Sequence, residues 1–421
     1  MNGMRRFLRG WREKFNRYCN RVFHNARWIA PRKAGTMQRL GINSPKTLRW
    51  LNSRALLAAL VEAGRQYSVT ELAGRLGLTR PTVEAALVDL LAEGWVGESS
   101  PAPTPNKAGR RARLYQFRAD AGYLLGIDLG PRQVHAMLAT LQGETVASVR
   151  HGGLDIAAGA AAESAVQNTV SEVLAQAGVQ PSAVIAAVIG VPGIVSRGGE
   201  LVHSVVVPDW IASGTMGNIA TFLQPAATHV DNDARLATTA EAAGGVLAGM
   251  DNGVHVILGQ QMGAGLLVDG KVMRGHHGAA GEIGGLGSLG WAAAAAALAS
   301  AAGTANAVDP VGSVVAGAAQ GEGWAVAAIE DFANGVANGI AALALAIDPE
   351  AISVGGDMAG AGELLVRPLR AAVARLGMFE PELHISAVGA DAVMLGAVAR
   401  ARDSFHNDVL ELSAALPRRR L

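Results

Sequence analysis

One strand-and-hairpin plan occurs twice in this chain, about 130 residues apart. Tyr123-Leu124-Leu125-Gly126-Ile127-Asp128-Leu129-Gly130 reads as a buried strand that closes on a glycine turn. A second strand follows over 134–141, then a Gln142-Gly143 turn and a third strand over 145–149. The succession returns at Val254-His255-Val256-Ile257-Leu258-Gly259, then 264–268, a turn at Asp269-Gly270, and 271–273. Short, near-continuous apolar runs bounded by turn residues are the pattern of strands buried on both faces. Each unit leads into helical segments, so the pattern predicts a duplicated α/β lobe. The cleft between such lobes is the usual ligand site.

Composition narrows the class. Half of the 421 residues are apolar and only 5% aromatic, so Ala, Val, Leu and Gly must build the core. Disorder of the whole chain is excluded, because it requires low hydrophobicity and high net charge. A single cysteine, Cys19, excludes a disulfide framework and a cysteine-cluster zinc site. Uncharged stretches such as 287–308 are rich in Ala and Gly. A membrane span wants roughly 20 strongly apolar residues, so these are expected to be buried helices of a soluble, cytoplasmic protein with no membrane partner.

The net charge of +1 conceals an asymmetry. Residues 1–50 carry thirteen Lys/Arg and one acid, and residues 51–120 carry nine against seven. The rest has 14 Lys/Arg and 27 acids. A basic front on an acidic body predicts that the front meets a polyanion and the body does not.

Residues 1–49 form a basic extension, expected to be disordered or to precede the true start. Ten cations from Arg5 to Lys33 are interleaved with Trp and Phe. Three readings stay open for 1–36: a DNA-phosphate arm, a membrane-surface segment, or sequence read from a start upstream of Met37. A secretory signal is excluded, since no 7–15-residue apolar stretch is present.

From Asn52 the pattern becomes helical, with Leu56, Leu57, Leu60 and Val61 on one face and Gly64 as a stop. Ser68 and Glu71 have the spacing of a capping box, and Gly77-Leu78 makes a tight turn. Thr79 is the expected N-cap of a third helix running through Val83, Ala86, Leu87 and Leu90 to Gly94. This is the helix-turn-helix layout. Two extended segments then flank a Pro/Ser/Thr-rich loop and the cations Arg110, Arg111 and Arg113, which describes a wing; a solvated basic linker is the alternative. Residues 50–118 are therefore expected to be a winged helix-turn-helix that binds double-stranded operator DNA. Arg80 is the candidate for a base edge or flanking phosphate, with Thr79, Thr82 and Glu84 beside it. Arg110, Arg111 and Arg113 are the candidates for the sugar-phosphate backbone.

The residues resemble the ROK family (repressors, open reading frames and sugar kinases) in its winged-helix branch. The markers are Leu78-Thr79-Arg80-Pro81-Thr82-Val83, Gly109-Arg110-Arg111, Gly126-Ile127-Asp128-Leu129-Gly130 and Gly190-Val191-Pro192-Gly193. Asn232-Asp233 with Glu241, Ala280-Gly281-Glu282-Ile283-Gly284 and Gly355-Gly356 complete them in order. The resemblance covers residues 52 to about 403. It implies a two-lobed actin-like body of the sugar kinase/Hsp70 ATPase fold over 119–405. Lobe 1 would take about 119–230 plus a C-terminal helix near 390–405, and lobe 2 about 231–389, leaving 406–421 as a tail. It further implies a sugar effector held by Asn232, Asp233, Glu282 and Gly193, with Asp233 at the position of the kinase base.

Departures from the family pattern bear on chemistry. The first phosphate loop, Asp-Leu-Gly-Gly-Thr in family kinases, here reads Asp128-Leu129-Gly130-Pro131-Arg132. Proline removes an N–H donor, and Arg132 fills space where small residues let phosphate approach the backbone. The second loop reads Gly259-Gln260-Gln261-Met262-Gly263 in place of Gly-Thr-Gly-Ile-Gly. The family's zinc-binding His and three cysteines are missing, with Gly285 at the His position. No metal, cofactor or catalytic residue is therefore expected, and Asp233 is a vestigial base. The adjacent His276-His277 suit an effector loop or a structural role better than a metal. Asn232-Asp233 can equally cap a helix over 234–243, and Trp210 is either a sugar-loop Trp or a core Trp.

The expected protein is a sequence-specific transcriptional regulator, a repressor of carbohydrate genes, acting as a homodimer or dimer of dimers. Two rivals stand beside it: an active sugar kinase with an accessory DNA-binding domain, and a body retained only for dimerisation.

Overall fold

The computed structural model describes residues 45–99, 113–303, 309–376 and 381–414. The expectations for residues 1–36, Arg110 and Arg111 lie outside them.

The N-terminal unit runs α1 (Pro45–Ala63), β1 (Tyr67–Ser68), α2 (Val69–Leu76), α3 (Arg80–Ala92), β2 (Val96–Ser99) and β3 (Leu114–Phe117). The first helix opens five residues before the boundary expected at residue 50. Pro45 is its first residue, a position where a missing N–H is no loss. Helix α2 begins on the expected capping box: Ser68 Oγ accepts from the Glu71 N–H, and the Glu71 carboxylate accepts from the Ser68 N–H at 2.8 Å. It ends on Gly77 in the left-handed region, and Thr79 then caps α3 through the Thr82 N–H. Val83, Ala86, Leu87 and Leu90 turn inward onto Leu56, Leu57, Leu60 and Leu72. Strands β2 and β3 pair antiparallel, with β1 on the far side of β3, so the wing's two strands are formed.

The body continues with β4 (Tyr123–Gly130), β5 (Gln133–Thr140), β6 (Thr145–Gly152), α4 (Gly159–Ala177), β7 (Val184–Val191), β8 (Ile194–Val195), β9 (Leu201–His203), α5 (Pro208–Ala212), α6 (Thr215–Phe222), β10 (Ala227–Asn232) and α7 (Asp233–Gly244). Then come β11 (Gly253–Ile257), β12 (Gly263–Val268), β13 (Lys271–Val272), α8 (Trp291–Ala301), α9 (Pro310–Ala319), α10 (Gly323–Ile347), β14 (Ala351–Gly355), α11 (Glu363–Leu376), β15 (Leu383–Ile385) and α12 (Ala392–Ala414). The two sheets have one topology. Their strand orders are β10-β7-β4-β5-β6 and β13-β12-β11-β14-β15. In each, an antiparallel three-strand meander is extended by two parallel strands beyond its first strand. The repeat read from the sequence is thus a repeated sheet.

Three expectations need correction. Over its described part, 287–303, the Ala/Gly-rich stretch is not a buried helix: α8 buries only Trp291, Ala294 and Leu298. Those residues form a single stripe at helical spacing, and the alanines between them point outward. The last helix does not stop near 405 but runs to Ala414. Phe405, at the expected boundary, stacks on Trp95 and Phe117 of the winged helix, so the chain there is packed rather than the start of a tail. The expected boundary between lobes at residue 231 falls inside β10, which belongs to the first sheet through Asn232.

The winged-helix core continues into the body. Leu56, Leu57 and Phe117 share a cluster with Leu124, Ala186, Leu236, Ala397, Ala401 and Phe405. No described helix is long and apolar enough to cross a membrane.

Candidate functional site

Strand β10 and helix α7 meet where the polar residues concentrate. Asn232 ends the strand and caps the helix, its Oδ1 accepting from the Arg235 N–H at 2.9 Å. Its Nδ2 donates to Gly193 O at 3.1 Å, Asp233 Oδ1 at 3.0 Å and Glu282 Oε1 at 3.2 Å. The four residues expected to hold an effector are thus joined through one amide. The cap is Asn232, and Asp233 is the first helical residue rather than the cap.

Burial governs the carboxyls here. It pushes Asp233 up to about 7, with Asp128 and Glu282 adding and the Ala234 N–H opposing. Burial also pushes Asp128 up to about 6, with Arg150 opposing and Asp357 and Asp391 adding. Glu282 and Asp357 are raised by burial too. Near neutrality Asp233 divides between protonated and ionised forms, so it can donate to a hydroxyl as well as accept from one. Among the described residues no three His, Cys, Asp or Glu are grouped to hold a metal ion.

Sequence reasoning missed several buried polar groups of the body. Arg235 is buried and donates to Asp231 Oδ1 at 2.7 Å, Gly278 O at 2.6 Å and Val195 O at 3.1 Å. It binds two loops to one helix. Gly278 sits at φ +83°, where a Cβ would lie 2.0 Å from Val195 O, so no side chain fits there. Glu241, read only as a family marker, is fully buried near the far end of α7. It accepts from Ser386 Oγ and from the Val246 N–H at 2.7 Å. His135 pairs across the hairpin with Asp128 and is pushed down to about 4 by burial and by Arg150. A charged side chain that repeats at surface-like spacing gives no sign in the sequence of being buried.

The two expected phosphate loops face each other. Between β4 and β5 the turn is only Pro131-Arg132, and its carbonyls accept from the Ile156 and Leu154 N–H groups at 3.0 and 2.9 Å. Across from it, Gly259 at φ +156° lies against Asp357. The Gln261 side chain reaches Gly130, its Nε2 3.7 Å from where a Cβ on that glycine would stand. Gly263 begins β12.

On the winged helix, Thr79, Arg80 and Glu84 are exposed at the start of α3, and Thr82 is half-buried with its hydroxyl 2.8 Å from that of Thr79. Arg113 forms an ion pair with Glu98 at 3.1 Å but stays 59% exposed. Trp210 is a core residue, 1% exposed, with Nε1 donating to Ile156 O. His276 and His277 contact each other edge to face on an exposed loop.

Comparison with known proteins agrees with this architecture. The ROK family model matches residues 124–404, and the IclR helix-turn-helix domain model matches 52–99. The xylose repressor of Caldicellulosiruptor bescii is 26% identical over 238 residues, 56% of this chain and 58% of that protein. The chain therefore spans little more than half the length of that relative. A ROK family transcriptional regulator, a homolog of the E. coli MLC protein, superposes with a TM-score of 0.61 at 19% identity, covering 87% of this chain and 98% of the other. A ROK family glucokinase from Streptomyces griseus, solved with glucose and AMPPNP, gives 0.58 at 22% identity, covering 67% and 100%. With a family model spanning two thirds of its length, the chain belongs to the ROK family.

Proposed function

We propose that this ROK protein is a sugar-responsive transcriptional repressor whose body binds a sugar or related polyol without phosphorylating it. A helix-turn-helix is joined to a body in which Asn232, Asp233, Glu282 and Gly193 remain linked. One observation carries the non-catalytic half of the reading. Gln261 lies against Gly130, and the Pro131-Arg132 turn has its carbonyls engaged by the 154–156 segment. Phosphoryl transfer needs an immobilised triphosphate as well as a base, and these loops carry Pro131, Arg132, Gln260 and Gln261 where family kinases have small or hydroxyl residues. The relative named as a xylose repressor favours a pentose as effector.

The kinase reading keeps one observation in its favour. Asp233, pushed up to about 7, suits a group that takes a proton from a hydroxyl. Binding to an operator fragment, followed by fluorescence anisotropy across a sugar panel, separates the two when run beside an ATP turnover assay. The expected result is sugar-dependent DNA affinity with no turnover, and Asp233→Ala abolishing the sugar effect while sugar-free DNA affinity is retained. Turnover lost in Asp233→Ala restores the kinase. On the DNA side, Arg80→Ala should weaken operator discrimination by about 1–3 kcal/mol. Unchanged affinity and salt slope would remove α3 as the reader.

A further inference from the structure

Behind the cleft lies a second polar recess with a different character. Side chains alternate along a strand, so Asp231 points away from the side of β10 that offers Asn232 to the cleft. The recess is bounded by Arg197 on the β8–β9 turn, by His229 and Asp231 on β10, by Arg274 after β13 and by Arg400 on α12. Its volume is about 60 Å³, space for several waters or one tetrahedral ion, since a single water needs roughly 10–15 Å³. Arg235 stands behind it on Asp231. Four guanidinium groups therefore converge, and both oxygens of Asp231 are already taken, by Arg235 and by Arg274. The other nearby carboxylate, Asp403, is half-buried, lies 4.0 Å from Arg402 and feels both Arg402 and Arg400, so it offsets only part of the positive charge. Burial, and after it the neighbouring Arg235 and Arg400, disfavour the charge on Arg274, with Asp231 opposing them. Positive charge is in excess, and it is presented from both lobes and from the last helix.

We infer that Arg197, Arg274 and Arg400 form a binding site for a tetrahedral phosphoryl oxyanion, either free phosphate or the phosphomonoester of a small molecule. Guanidinium groups pair with such oxygens in bidentate geometry, and three of them approach this recess from three separate elements. The site is distinct from the Asn232 cleft and does not rest on the function proposed for it. An anion seated there would tie the β8–β9 turn and the Arg274 segment to α12, the helix that packs on the winged helix through Phe405.

Thermal unfolding of the full chain tests this, with inorganic phosphate, glucose 6-phosphate and potassium chloride compared at matched ionic strength. Phosphate at about ten times its Kd should raise the Tm saturably by roughly 1–2 °C over chloride. A larger shift with glucose 6-phosphate identifies a phosphomonoester as the ligand, and an equal or smaller one identifies the free ion. Arg197→Gln and Arg400→Gln should each abolish the shift, and Arg400→Lys should keep part of it. In chloride alone Arg400→Gln should melt no lower than the parent, because it relieves repulsion among like charges. A lower Tm there would mean that Asp403 already neutralises Arg400, and the proposal fails. It fails equally if the phosphate shift is absent, unsaturable, or the same in parent and variants.

Discussion

At the scale of single residues, Asp233 makes the sharpest prediction. In an unfolded chain its carboxyl titrates near 3.8, whereas burial in the fold holds it up to about 7. Between those values the native state binds a proton that the unfolded state lacks, so its contribution is full at low pH and fades as pH rises through 7. Each unit corresponds to about 1.4 kcal/mol, which sets a ceiling of about 4 kcal/mol. Asp128, also raised, shares the field of Asp233, so the pair titrates as a unit. The parent's Tm should therefore fall between pH 5 and pH 8, and Asp233→Asn should flatten that slope. Equal slopes would show that the burial penalty is absent. Asn232, Asp233 and Glu282 were singled out by the family resemblance rather than by periodicity or spacing, and the fold brings them together through the Asn232 amide. Arg235 and His135 were not legible in the sequence, because a charged residue in a helix or hairpin reads as solvent-facing until its partners are known.

Among the elements, α12 carries the most weight. Its first half packs Met394, Leu395, Val398 and Ala399 with Ala237 and Ala240 of α7, the helix that Asn232 caps. Further along, Phe405 stacks on Trp95 and Phe117 at centroid distances of 6.0 and 6.4 Å. One helix thus touches both α7 and the winged-helix unit. Phe405→Ala removes a buried ring, a loss of about 3–5 kcal/mol in well-packed cores, and here the loss falls at the junction. Calorimetry should resolve two transitions where the parent shows one, with sugar binding to the body retained. A single transition merely lowered in Tm would show that the junction does not couple the units. The helix-turn-helix was legible down to its caps, because Ser68, Glu71, Gly77 and Thr79 are local signals with local causes. The packing of α12 on that unit was not, since Phe405 meets a segment some 300 residues earlier.

For the whole molecule, the repeated strand plan foretold the pair of sheets, because matching strand order needs only a duplicated pattern of apolar runs and turns. Assembly is a different matter: side chains that meet a second copy obey no local rule. Energetics supply the argument instead. A single winged helix buries too little DNA surface for specific binding at physiological salt, and paired half-sites mirror a two-fold axis in the protein. The body also leaves Val202, Val205 and Ile211 exposed near one another in sequence, with Val205 81% accessible. These are apolar side chains of the sort that a second copy would cover. The protein should therefore sediment as a dimer at micromolar concentration without DNA and bind a two-half-site fragment as one dimer. Val205→Glu should shift it towards monomer and weaken binding to the paired site far more than to a single half-site. A monomer both with and without DNA would refute the dimer, and a Val205→Glu protein that stays dimeric would move the interface elsewhere.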